Sequence, residues 1–90
     1  MIQKTLKIEI FGKVTGVAMR QTLKSFADSL GLIGSASNQP DGSVAVIVQG
    51  GEGEVTQFVN FCKQGSSLAR VDEVVVSEVT QGDYTEFSIS

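Results

Sequence analysis

Gly12-Lys13-Val14-Thr15-Gly16-Val17-Ala18-Met19-Arg20 decides how the rest of the chain is read. Before it, Leu6, Ile8 and Ile10 alternate with Lys7, Glu9 and Phe11, the period-two pattern of a half-buried strand. After it, Met19, Leu23, Phe26, Ala27 and Leu30 recur at spacings of three and four, an amphipathic helix that Gly31 closes. Gly12 and Gly16 allow a tight curl between strand and helix. The start of the helix turns several unpaired backbone N–H groups into that curl, and Arg20 stands where loop becomes helix. Such a loop is a candidate cradle for a small oxyanion, phosphate first, and Lys13 and Arg20 flank it.

Working outward, residues 32–37 form a short, weakly patterned segment read as a strand. Asn38-Gln39-Pro40-Asp41-Gly42 is turn chemistry. Val44, Val46 and Val48 then alternate with Ala45, Ile47 and Gln49, another strand. Gly50-Gly51-Glu52-Gly53 breaks it, and Val55, Phe58, Val59 and Cys62 make a second helical stripe with Gly65 behind it. Residues 71–79 are β-branched and read as a strand, but Val74, Val75 and Val76 are consecutive and leave its inward face open. Residues 84–90 add a short last strand with Tyr84, Phe87 and Ile89 as apolar contacts. The order βαββαβ, with two helices that each need an apolar partner, predicts an α+β fold. It is a ferredoxin-like two-layer α/β sandwich, an antiparallel sheet with both helices on one face and a short extra C-terminal strand.

Composition narrows the chemistry. The 90 residues are expected to form one domain. The net charge of −3 opposes non-specific binding to nucleic acid, so an anion would bind only at a local positive site. An RNA-binding domain of the same topology needs exposed aromatics on its central strands, and residues 44–49 contain none. The single cysteine cannot form an internal disulfide, and on the apolar stripe of the second helix it reads as a packing residue. The chain contains no histidine, which removes Ser–His and Cys–His nucleophile pairs and the commonest general base. No apolar run reaches the ~18 residues of a membrane span, and residues 1–5 lack the apolar core of a signal peptide, so a cytoplasmic location is expected.

Two segments together resemble a known family. Gly12 to Arg20 is similar to the acylphosphatase signature G-R-V-Q-G-V-x-F-R. Gly31-Leu32-Ile33-Gly34 followed by Asn38-Gln39-Pro40-Asp41-Gly42-Ser43-Val44 resembles that family's second signature, G-W-V-x-N-x-x-D-G-x-V. Gly65 to Val71 and Tyr84 to Ile89 look like further family landmarks, so the likeness covers nearly the whole chain. Thr15 stands where the family usually has Gln, Met19 where it has Phe and Ser35 where it has Trp. The resemblance implies a single acylphosphatase-like domain over residues 1–90. Its expected activity is hydrolysis of the carboxyl–phosphate bond of a small-molecule acyl phosphate to carboxylate and inorganic phosphate.

The resemblance assigns Arg20 and Asn38 to the chemistry. The backbone amides of Thr15, Gly16, Val17, Ala18, Met19 and Arg20 would cradle the phosphate. No metal or other cofactor is implied, and neither is a nucleic-acid or membrane partner. The protein is expected to be a free-standing monomer, with phosphate as product and inhibitor. An alternative is an acylphosphatase-like module that binds anions but turns over weakly, or one that handles carbamoyl phosphate inside a larger enzyme. For Asn38 to act, the start of the 38–42 turn must lie beside the glycine loop; the first and third strands of such a sheet are neighbours, and this turn joins the second and third.

Overall fold

The structure, a computed structural model, describes residues 3–14, 19–64 and 70–89. Its elements are β1 (Gln3–Lys13), α1 (Met19–Ser29), β2 (Ile33–Asn38), β3 (Val44–Gly51), α2 (Glu52–Gln64), β4 (Arg70–Glu78) and β5 (Phe87–Ile89). The strands form one sheet in the order β4-β1-β3-β2-β5. Adjacent pairs among β4, β1, β3 and β2 are antiparallel. β5 runs parallel to β2, with Gly34 opposite Phe87, so the fifth strand makes an otherwise antiparallel sheet mixed.

The alternation read from the sequence sets the layers. Ile8 and Ile10 lie opposite Val46 and Val44, and Ala36 lies opposite Val46. Cross-strand partners share a face, so these residues form one apolar surface. It is buried against Met19, Leu23 and Ala27 of α1 and Val55, Phe58 and Cys62 of α2. Phe58 approaches Phe87 with ring centroids 5.9 Å apart, and Phe26 stacks on Phe61 at 4.2 Å where the helices meet.

The helix ends follow local chemistry. α1 closes at Gly31 (φ 72°), with Gly31 N–H donating to the Asp28 carbonyl at 3.1 Å and Leu32 N–H to the Ala27 carbonyl at 2.9 Å. Leu32 is therefore a buried residue of this cap, and β2 begins one residue later. The expected stop at Gly65 lies outside the described residues.

β4 is an edge strand, which resolves its three consecutive valines. Val74 packs against the core, whereas Val75 and Val76 remain 40% exposed. A bulge between Phe11 and Gly12 shifts the register of β1 and β4, so β4 has no unbroken alternation to read. Residues 79–86 then cross the sheet from β4 to β5. Val79 N–H donates to the Thr5 carbonyl, and Gly34 N–H to the Glu86 carbonyl, each at 3.0 Å. Midway, the Gln49 side chain holds Gly82 from both sides: Gly82 N–H donates to Gln49 Oε1 at 2.9 Å, and Gln49 Nε2 donates to the Gly82 carbonyl at 3.3 Å. Among the described residues no helix is long and apolar enough to cross a membrane.

Candidate active site

Register places Asn38. It is the last residue of β2, opposite Val44 on β3, and Val44 is opposite Ile10 on β1. These residues form one row across three strands, with β1 and β2 about 10 Å apart. Ile10 and Val44 are fully buried beneath the helices, so Asn38 belongs to the same, helix-covered side. It is itself exposed, at the open end of the row. β1 leaves the sheet toward Val14 at this same end, and α1 returns along β2 from it.

The connection between β1 and α1 is anchored by the buried side chains of Val14 and Met19. Met19, where the family usually has Phe, fills a core position among the largest fully buried side chains. Thr15, Gly16, Val17 and Ala18, four of the residues expected to cradle phosphate, lie outside the described residues. Arg20 is half-buried in the first turn of α1. Lys24, one turn later on the same face, donates from Nζ to the Phe87 carbonyl at 2.7 Å and pairs with Asp28 at 3.2 Å. Phe87 is in register with Gly34 of β2. Lys24 thus ties α1 to β5, the neighbour of β2, and Arg20 stands about 6 Å closer to the Asn38 end.

The first turn of α1 carries no acidic residue, whereas that of α2 carries Glu52 and Glu54. The partial positive charge at the start of α2 therefore has side-chain compensation, and that of α1 has none from its own first turn. Gly12 has a different role from the one its place in the motif suggests. It lies inside β1 at the bulge, with φ 135°, and a Cβ there would overlap the Arg70 carbonyl oxygen. It permits the close approach of β4. Lys13 is exposed opposite Arg70, and Arg70 pairs with Asp72 at 3.1 Å.

The turn is legible in the sequence, but the side-chain bonds that hold it are not. Gln39 Nε2 donates to Ser37 Oγ at 3.0 Å, and Asp41 Oδ1 accepts from Ser43 N–H at 2.9 Å and Ser43 Oγ at 2.6 Å. The Ser43 hydroxyl first, then its amide, hold the Asp41 carboxyl below the usual carboxylate range. Ser35 lies opposite Ile47 on the face of the sheet away from the helices, so its departure from the family's Trp does not touch the packing of α1. Cys62 is buried in the core, where desolvation pushes its thiol up to about 12. A shallow hollow of about 330 Å³ lies between the helices, lined by Phe26, Gln57, Asn60, Phe61 and Gln64. None of these belongs to β2 or to the first turn of α1.

Comparison with known proteins identifies the family. The Acylphosphatase family model matches residues 6–89. The acylphosphatase of Thiobacillus denitrificans is 43% identical over 84 residues, which span 93% of each chain. The crystal structure of acylphosphatase from Bacillus subtilis superposes with a TM-score of 0.93 at 30% identity, covering 99% of each chain. The structure of full-length HypF in its phosphate- and nucleotide-bound form contains the same shape, with a TM-score of 0.92 and 30% identity over 99% of this chain and 12% of that one. With signatures, fold and relatives all in agreement, the chain belongs to the acylphosphatase family.

Proposed function

We propose that the chain hydrolyses acyl phosphates without a metal, using Arg20 and the amides of residues 15–20 to hold the phosphate and Asn38 to aim the attacking water. Water attacks phosphorus as the bond from phosphorus to the acyl oxygen breaks, and the acyl group departs as a carboxylate. That leaving group needs no proton, so a chain without histidine lacks nothing on that side. Charge spreads over three equatorial oxygens in the transition state, where positioning and electrostatics dominate. A guanidinium offers parallel donors and keeps its proton, and helix-start amides supply more donors. The Asn38 amide oxygen accepts a hydrogen bond from the water and holds it in line with the departing carboxylate. An amide is a poor base, so the water's proton passes to a non-bridging oxygen of the substrate's own phosphate.

The observation that carries this reading is the row Asn38–Val44–Ile10, which brings the end of β2 to the sheet end where β1 gives way to α1. The absence of an acidic residue from the first turn of α1 supports it. The reading describes a cytoplasmic monomer, with inorganic phosphate as product and competitive inhibitor. Steady-state hydrolysis of benzoyl phosphate tests it. Arg20→Gln abolishes turnover and weakens phosphate inhibition. Asn38→Ala leaves phosphate inhibition in place and slows hydrolysis by about 10²–10³-fold, the usual loss for one transition-state contact. Wild-type rates in both variants would overturn the mechanism. Phosphate binding with no turnover in the unmodified chain would favour the anion-binding module instead. Titration with phosphate shifts amide resonances of residues 14–20 and the Asn38 side chain, and shifts confined elsewhere would move the site.

A further inference from the structure

The hairpin between β2 and β3 contains a polar clasp that the hydrolysis itself does not use. Gln39 N–H donates to the Ser43 carbonyl at 2.8 Å, and Gly42 N–H to the Gln39 carbonyl at 3.0 Å. Asp41 Oδ1 then receives both donors of Ser43, the amide at 2.9 Å and the hydroxyl at 2.6 Å. Ser43 is buried, and the residue after it, Val44, is the register partner of Asn38. The clasp therefore fixes the returning strand one residue from the point where Asn38 is held. β2 ends at Asn38, and beyond it the two strands are joined through the Gln39–Ser43 bond and the turn.

We propose that Asp41 is a positioning residue for hydrolysis: by gripping Ser43 it locks the hairpin in the conformation that aims the Asn38 carboxamide at the attacking water. This rests on the role of Asn38 given above. A carboxylate suits the task, because one of its oxygens can take two donors at once and a charged acceptor makes the stronger bonds. Without it the turn keeps its two main-chain bonds, so the hairpin persists but its tip gains freedom. The substrate phosphate, held by α1 and the loop before it, should bind as before. The loss should appear in the chemical step, where small misplacement of a reacting group is costly.

The test is steady-state hydrolysis of benzoyl phosphate by the full chain, with inorganic phosphate as competitor. Asp41→Ala should lower kcat about tenfold, with KM and phosphate inhibition within about twofold of wild type. Asp41→Asn, whose amide oxygen still accepts from Ser43, should recover kcat to within about twofold. Adding Asp41→Ala to Asn38→Ala should slow the enzyme no further, because the clasp acts through Asn38. Ser43→Ala keeps the carboxylate and removes only the hydroxyl bond, and it should show the same pattern at smaller amplitude if Asp41→Ala does not fold. Wild-type kcat in Asp41→Ala, no recovery in Asp41→Asn, or a further tenfold loss in the double variant would each overturn the proposal. An Asn38→Ala enzyme at wild-type rate would instead remove the role of Asn38 itself.

Discussion

Gln49→Leu should destabilise the protein by about 2–4 kcal/mol while leaving its catalysis intact. Gln49 and Thr5 are 4% and 5% exposed, although both face the side of the sheet that carries no helix. The crossing segment 79–86 covers them. Gln49 Oε1 accepts from Thr5 Oγ1 at 2.9 Å and from Gly82 N–H at 2.9 Å, and its Nε2 serves the Gly82 carbonyl. Leucine fills a similar volume and offers no polar atom. The buried Thr5 hydroxyl and the two main-chain groups of Gly82 would then lack partners. A buried orphan costs about 1–3 kcal/mol, and Gly82 is near enough to the surface for water to recover part of its loss. For a domain of this size the result is a fall in Tm of roughly 10–20 °C. Urea denaturation and a thermal melt measure it, and faster amide exchange at Gly82 locates it. Hydrolysis of benzoyl phosphate at 25 °C should be unchanged, because Gln49 is five residues along β3 from Val44, roughly 17 Å from the row that ends at Asn38. Thr5→Val in the Gln49→Leu background should recover about 1 kcal/mol by removing the stranded hydroxyl. A loss below about 1 kcal/mol, or a parallel fall in activity, would refute the reasoning.

Gly34→Ala should cost about 3–5 kcal/mol, because φ is 143° and the added Cβ would overlap the Ile47 carbonyl oxygen, so backbone strain and displacement of β3 act together. A melting temperature within a few degrees of wild type would contradict this. Cys62 should not react with a thiol reagent in the native protein at pH 8, since burial suppresses both access and the thiolate, and should react fully in denaturant; rapid native-state labelling would place it outside the core.

Where one residue faces the core and the next faces solvent, pattern and structure agree. The alternation around Ile8 and Ile10 and around Val44, Val46 and Val48 became β1 and β3, and the stripes of α1 and α2 became the helix faces that cover them. The places that resisted reading are those where a distant segment sets the environment. Val74, Val75 and Val76 cannot reveal an inward face on an edge strand whose register shifts a few residues away. Gln49 continues the half-buried parity of Ala45 and Ile47, and the crossing segment, more than thirty residues later, buries it. β5 is three residues long, and its parallel pairing with β2 depends on where that crossing ends. The motif could not show that Gly12 belongs to the strand before it. Gly12 answers to the Arg70 carbonyl of another strand.

The proposed role of Asn38 depends on the pairing of the whole sheet. Asn38 reaches the helix-covered side only because its parity matches Ala36, and both follow from the pairing of β2 with β3. A slip of one residue would turn every side chain of β2 to the opposite face and carry Asn38 away from the start of α1. Two features oppose that slip at opposite ends of the strand. At Gly34, β2 approaches the Ile47 carbonyl too closely for any side chain, and at the hairpin Asp41 grips Ser43. The register that buries Val44, Val46 and Ala36 is therefore also the register that places Asn38 on the helix-covered side. In this chain the packing of the core and the geometry of the proposed site are one specification, and a variant that loosens either end of β2 should lose rate before it loses the fold.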